Sequence, residues 1–253
     1  MRPLPVTLCK GSRHVRKGHM SPMRDVTQAW LDGRAPPGED SFRFKELAMR
    51  VWTKAAIVGG LMMLGASAAA ADTAIVAGGC FWCVESDFER VAGVSDVTSG
   101  YTGGDLKNPT YDNHDGHYEA VQITFDPAVI SYDQLMTKFL HSIDVTDAGG
   151  QFCDRGKAYR SAIFVSDSTQ KKIARRVVAE AEAALGGAIV TPVLAAKAFW
   201  PAEAYHQDYY KSSDIVLTRA GPKQKKNAYK FYREACGRDA RVRAVWGDLA
   251  LTH

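Results

Sequence analysis

Cys80 and Cys83 stand three apart in Gly78-Gly79-Cys80-Phe81-Trp82-Cys83, between a short apolar run and a segment of helical spacing. The run, Thr73 to Ala77, reads as a buried strand; Val84, Phe88 and Val91 read as one face of a helix. Two glycines allow the sharp turn between them. Cys80 is therefore expected at a helix N-terminus, where free N–H groups and the positive dipole end favour a thiolate. The chemistry on offer is nucleophilic attack, with Phe81 and Trp82 able to wall a pocket for an apolar group. The competing readings are a buried structural cysteine, common for this residue type, and a thioredoxin-like redox pair. A zinc site is weaker, because it wants about four ligands and neither a second CxxC nor a paired His motif follows.

Glu119 is the second reactive candidate. It shares a strand face with Val121, Ile123 and Phe125. A carboxyl heading an apolar stripe is buried in part, and burial raises its pKa into the range of a general acid; the alternative is a frayed strand end in water. Tyr111 and Tyr159 can donate phenolic hydrogen bonds, and Asp154 precedes Tyr159 by five residues. His117 is read as structural, since strand neighbours point to opposite faces. His206 is read as a hydrogen-bonded scaffold residue.

The elements that must carry these residues alternate along the chain. Val94 to Tyr101 and Tyr118 to Phe125 read as strands, the latter stopped by Asp126-Pro127. Ser131 with Gln134 forms a capping-box pattern ahead of Leu135, Met136, Phe139 and Leu140. A long loop, 144–157, holds Gly149-Gly150 and Cys153, and long loops are often functional. Ala158 to Val165 reads as a strand, Ser168 or Thr169 to Leu185 as a helix closed by Gly186-Gly187, and 188–199 as a strand that Pro192 pushes to an edge. Pro201 is expected to open a helix running to Tyr210, and a last helix to run from Lys223 past Cys236. The pattern is that of an α+β fold, a two-layer ferredoxin-like sandwich around a mixed central sheet.

Residues 1–48 show no sustained apolar period and read as an extension. Met49 to Lys54 is positive, 55–65 uncharged and mostly apolar, and Ala-Ser-Ala-Ala-Ala-Ala precedes Asp72. That is the pattern of a secretory signal peptide over 49–71, with Met49 as the expected start and residues 72–253 as a single domain. The apolar run is shorter than the roughly 20 residues of a membrane span. The chain carries 32 basic and 28 acidic residues, but residues 72–253 hold 21 against 23, so charge gives no case for nucleic-acid binding. Export to the periplasm or the exterior is expected, with the membrane met only in transit. Four cysteines remain in the domain, Cys80, Cys83, Cys153 and Cys236, too few to be its main staple and readable as working thiols.

The motifs at 79–83, 100–104 (Gly-Tyr-Thr-Gly-Gly), 108–111 (Asn-Pro-Thr-Tyr), 116–119 (Gly-His-Tyr-Glu), 159–163 (Tyr-Arg-Ser-Ala-Ile) and 205–210 (Tyr-His-Gln-Asp-Tyr-Tyr) form an ordered set. Over about residues 74–211 they resemble the A-type peptide methionine sulfoxide reductases. The resemblance implies that Cys80 attacks the sulfoxide sulfur, Phe81 and Trp82 hold the S-methyl group, and Glu119 protonates the oxygen. It implies that Tyr111 and Tyr159 assist by hydrogen bonding and Asp154 helps order the site. The resemblance also implies that no cofactor is bound and that an external thioredoxin-like dithiol closes the cycle. The segment between Tyr111 and Glu119 is shorter than in many members, and Cys153 stands where most have no cysteine. Cys236, on what reads as a flexible tail, is the first expectation for the resolving thiol and Cys153 the second; a helix turn stands between Cys80 and Cys83. Two other readings stay open: a thiol–disulfide oxidoreductase using Cys80 and Cys83 without need of Glu119, and a secreted binding domain with two static disulfides.

Overall fold

A computed structural model describes residues 71–218 and 221–252. The expected extension, and the expected signal peptide up to residue 70, lie outside the described residues. Strand β1 (Asp72–Gly78) leads through Gly79 and Cys80 into helix α1 (Phe81–Phe88), which ends a turn short of the expected Val91. Strand β2 (Val94–Thr102) and strand β3 (Tyr118–Phe125) follow. Helix α2 (Tyr132–Leu140) opens with the expected capping box: Ser131 Oγ accepts from Gln134 N at 3.2 Å, and Gln134 Oε1 accepts from Ser131 N at 3.0 Å.

The long loop after α2 contains a two-residue hairpin, β4 (Gly150–Gln151) with β5 (Asp154–Arg155), and a short 3₁₀ turn at Lys157–Tyr159. Strand β6 is therefore Ser161–Val165, shorter at its start than expected. Helix α3 (Ser168–Leu185) is capped by Asp167, whose carboxylate accepts from the backbone of Thr169 and Gln170. Strand β7 shrinks to Val193–Ala195, at the sheet edge as Pro192 required.

The six strands lie in the order β7-β6-β1-β3-β2-β8, where β8 is Trp200–Pro201. All pairings are antiparallel except β6 with β7. Within it, β1-α1-β2-β3-α2-β6 is the split β-α-β arrangement of ferredoxin-like folds. Val76, Val121, Ile123 and Phe125 face the helices and close the main core with Phe88, Leu135, Phe139 and Ile163. The opposite sheet face holds a smaller cluster around Ala77, Ala120, Ala162 and Phe164.

The helix expected from Pro201 does not form. Pro201 instead pairs with Gly100 on the edge of β2, and residues 204–211 run through turns. The reason is a side chain that stands in for a strand. Gln207 accepts from Ser99 N at 2.9 Å and donates to Ser99 O at 2.9 Å, satisfying the β2 edge backbone.

The C-terminal segment is not a loose tail. Strands β9 (Ile215–Thr218) and β10 (Gly221–Gln224) pair, and helices α4 (Lys225–Ala235) and α5 (Arg238–Trp246) follow. Trp246 Nε1 donates to Ile143 O at 3.1 Å, and Arg238 is almost fully buried, donating to Gly78 O and Ser142 O.

Candidate active site

Antiparallel pairing brings the reactive residues to one end of the sheet. In the β1–β3 register Val76 faces Val121, so the chain leaves β1 where β3 begins. Cys80 thus emerges beside Glu119. Tyr101 of β2 is opposite Glu119, and Ser161 of β6 is opposite Gly78, which places Tyr159 at the same end. Gly79 makes the turn at φ +83°, and a Cβ there would stand 2.5 Å from Gln151 Cβ. Only glycine fits both the conformation and the space.

Cys80 is the N-cap of α1, as its sequence position required. The structure does not give it the expected thiolate character. Its thiol is hydrogen-bonded to Cys83, and that bond, burial, and the acidic neighbours Glu119 and Asp154 push its pKa well up. Cys83 moves the other way. The bond with Cys80 lowers its pKa against burial, helped by Arg238 and Arg233. Those arginines meet Asp87, one helical turn after Cys83: Arg233 Nη1 lies 2.8 Å from Asp87 Oδ1 and Arg238 Nη2 3.4 Å from Oδ2. All three side chains are buried. The helix start is present, but the more acidic thiol of the pair is the one facing the arginines.

Glu119 is buried at the head of the apolar stripe, at 2 % exposure. Its Oε2 accepts from Phe81 N at 3.2 Å, and the Tyr159 hydroxyl donates to the same carboxyl. Burial outweighs these bonds and raises its pKa to about 8, with Asp154 and Cys83 adding to the rise. At neutral pH it is a carboxylic acid with a proton to give. Tyr111 and Tyr159 keep their phenol protons: burial and the negative charge of Glu119 raise both, Tyr111 to about 12.

Aromatic rings line the approach. His206 lies 5.2 Å from the Phe81 ring, 5.5 Å from Trp82 and 4.5 Å from Tyr111, while Trp82 stacks on Tyr209 at 3.8 Å. His206 is buried, and among the described residues nothing hydrogen-bonds either ring nitrogen. The reading of it as a hydrogen-bonded scaffold residue is corrected: rings hold it, and burial lowers its pKa. His117 is structural as expected, with Nδ1 taking the Gly104 N–H and Nε2 bonded to Leu106 O.

The cysteines expected to resolve are joined to each other. Cys153, in the β4–β5 hairpin, forms a disulfide with Cys236 at the end of α4. Cys80 and Cys83 are free and buried, so the free thiol beside Cys80 is Cys83. The expectation of a free Cys236 on a flexible tail fails because α4 and α5 pack on the site.

Sequence reading missed what α4 contributes. Tyr229 packs against Cys80 and Cys83 with Tyr232 beside it. The Tyr232 hydroxyl donates to Asp154 Oδ2. Arg233 Nη1 donates to Tyr229 Oη at 3.0 Å. The available signal was the helical spacing of Tyr229, Tyr232 and Cys236 along one face.

Residues 72–240 match the model of the family described as peptide methionine sulfoxide reductase. The chain is 47 % identical over 191 residues to peptide methionine sulfoxide reductase MsrA 2 of Rhizobium meliloti, covering 75 % of this chain and 90 % of that one. It is 47 % identical over 197 residues to MsrA 2 of Caulobacter vibrioides, covering 74 % and 94 %. Among solved structures it resembles Mxr1 from Saccharomyces cerevisiae in reduced form, at 27 % identity and a TM-score of 0.52, covering 55 % of this chain and 83 % of that one.

Proposed function

The chain belongs to the peptide methionine sulfoxide reductase family, and from that premise we propose how its own residues do the work. It is an oxidoreductase that reduces methionine S-sulfoxide to methionine through a cysteine sulfenic acid and an intramolecular disulfide, which a dithiol donor reduces.

Cys80 is the nucleophile. Cys83 is the more acidic of the two thiols and is hydrogen-bonded to Cys80; once ionised it takes the Cys80 proton along that bond and leaves the Cys80 thiolate. The thiolate attacks the sulfoxide sulfur while Glu119 delivers its proton to the oxygen. The hydroxyl then passes from the substrate sulfur to Cys80 as the S–O bond and the new S–S bond break, so methionine leaves, Cys80 becomes a sulfenic acid and Glu119 is left ionised. Tyr111 and Tyr159 donate hydrogen bonds to the oxygen as it gains charge, and Asp154 helps order the site. Phe81 and Trp82 hold the S-methyl group, with His206 behind them.

Cys83 is the resolving thiol in this reading, in place of Cys236 or Cys153. It attacks the sulfenic sulfur, forming the Cys80–Cys83 disulfide and releasing water. The contact between the two thiols supports this, as does the bond that occupies the other two cysteines. The donor is a thioredoxin-like protein; substrates are oxidised methionine in proteins and the free amino acid. No bound cofactor takes part.

The leader pattern over 49–71 supports a periplasmic or secreted enzyme, with a mature N-terminus near Asp72 that N-terminal sequencing would read. The observation that carries the chemical reading is the buried Glu119 carboxyl bonded to the amide next to Cys80, its pKa raised by that burial. The test is single turnover without donor on a peptide bearing either sulfoxide epimer. Wild type should release one equivalent of methionine from the S epimer alone, and Cys80→Ser none. Methionine release by Cys80→Ser would overturn it.

A further inference from the structure

Helix α4 closes on the site through three ties. The Tyr232 hydroxyl donates to Asp154 Oδ2. One turn on, Cys236 is bonded to Cys153, the residue before Asp154. Arg233 reaches Asp87 in α1. The disulfide thus joins the neighbours of a hydrogen-bonded pair, fixing the hairpin and the helix at the point where that pair forms.

We propose that Tyr232 is a positioning residue for the reduction, and that the Cys153–Cys236 disulfide is a fixed brace that seats it on Asp154 rather than a bond made and broken in each cycle. The inference rests on the reading of Glu119 as proton donor, and goes beyond it by placing a residue of the C-terminal helix in control of that donor.

The control is electrostatic. Burial raises the pKa of Asp154, and the hydrogen bond from Tyr232 opposes the rise, with Arg238 adding to the opposition. Tyr232 therefore holds the Asp154 carboxyl more acidic than burial alone would leave it. The Asp154 charge in turn raises the pKa of Glu119 and so helps it hold its proton. The other groups facing Glu119 are Cys80 and Cys83 at the start of α1, Tyr101 of β2, Tyr111 and Tyr159. Facing Asp154 besides Tyr232 are Arg238 of α5, Cys80, Glu119, Tyr111 and Tyr159. Tyr232 is the hydroxyl that bonds Asp154 directly, and the residue whose seat the disulfide fixes.

Tyr232→Phe removes one hydroxyl from a partly buried ring and leaves its packing. With that bond gone Asp154 takes up a proton more readily, its charge fades, and Glu119 gives up its proton at lower pH. The measurement is the midpoint of the Glu119 carboxyl, read by ¹³C NMR of labelled protein across pH 5 to 10. We expect the wild-type midpoint near 8 to fall by about half a pH unit or more in Tyr232→Phe, the scale of losing one charged neighbour. Cys153→Ser with Cys236→Ser should move it in the same direction by less. Single-turnover methionine release at pH 8, relative to pH 6, should fall about two-fold with a half-unit shift. An unmoved midpoint in Tyr232→Phe would overturn the proposal, as would a wild-type cycle in which Cys153 and Cys236 exchange disulfides at every turnover. Since the NMR midpoint is read without substrate, it separates this proposal from any failure of Glu119 as the donor.

Discussion

Replacing Glu119 by Gln should make the protein more stable at alkaline pH and nearly inactive. The carboxyl titrates at about 8 in the folded protein against an ordinary 4.5. The folded state therefore keeps a proton through a window in which the unfolded chain has lost it. The stabilisation belonging to that proton is complete below 4.5 and is lost as pH rises through 8. At about 1.4 kcal/mol per unit, burial of this group costs roughly 3 kcal/mol at pH 7 compared with acid, and levels off above pH 9 at somewhat more. Gln fills the same space, still accepts from Phe81 N, and stays neutral throughout. Urea unfolding of both proteins at intervals from pH 5 to 9 isolates the group by difference. The mutant's advantage should grow by about 1.4 kcal/mol per unit up to pH 8, then flatten. Methionine release should fall by about 10²–10⁴, the usual worth of a general acid. Parallel stability curves for the two proteins would refute the buried, protonated carboxyl.

Among the described residues, Asp87→Asn should strip the one carboxylate that Arg238 pairs with, and one of two that Arg233 pairs with; a loss of about 3–5 kcal/mol in urea unfolding is expected for breaking so buried a cluster. It should also make Cys83 a stronger thiolate if the fold survives, seen as faster alkylation at pH 7. Gly79→Ala should misplace Cys80, because the added methyl meets Gln151 at 2.5 Å in a left-handed backbone; thermal unfolding should drop by several degrees and methionine release with it.

The sheet and the α2 cap were legible because they rest on short-range rules. The two-residue period of Val121, Ile123 and Phe125 put Glu119 on the core face, and Ser131 with Gln134 marked the start of α2. The six motif segments located Cys80, Glu119, Tyr111 and Tyr159 because pairing of β1, β2, β3 and β6 gathers strand ends. What failed depended on long-range partners. The Pro201 helix lost to Gln207 bonding the β2 edge, 108 residues away in sequence. The greater acidity of Cys83 came from its bond with Cys80 and from Arg238 and Arg233, which arrive from helices that begin some 140 residues after α1 ends and that local spacing does not connect to Cys83. The setting of Cys236 was misread for the same reason: a cysteine near the C-terminus reads as a free tail until α4 is seen packed on the site, with Cys236 tied to Cys153.

The most direct test is to find which sulfur bonds to Cys80 after one turnover. Protein with Cys80 and Cys83 reduced and Cys153 joined to Cys236 is given one S-epimer sulfoxide per chain without a donor, and its peptides are mapped by mass spectrometry without reduction. A single peptide carrying both Cys80 and Cys83, lighter by two hydrogens, with the Cys153–Cys236 pair intact, is the outcome required of a dithiol that attacks and resolves within one helix turn. A peptide joining Cys80 to Cys236 or Cys153 would contradict it.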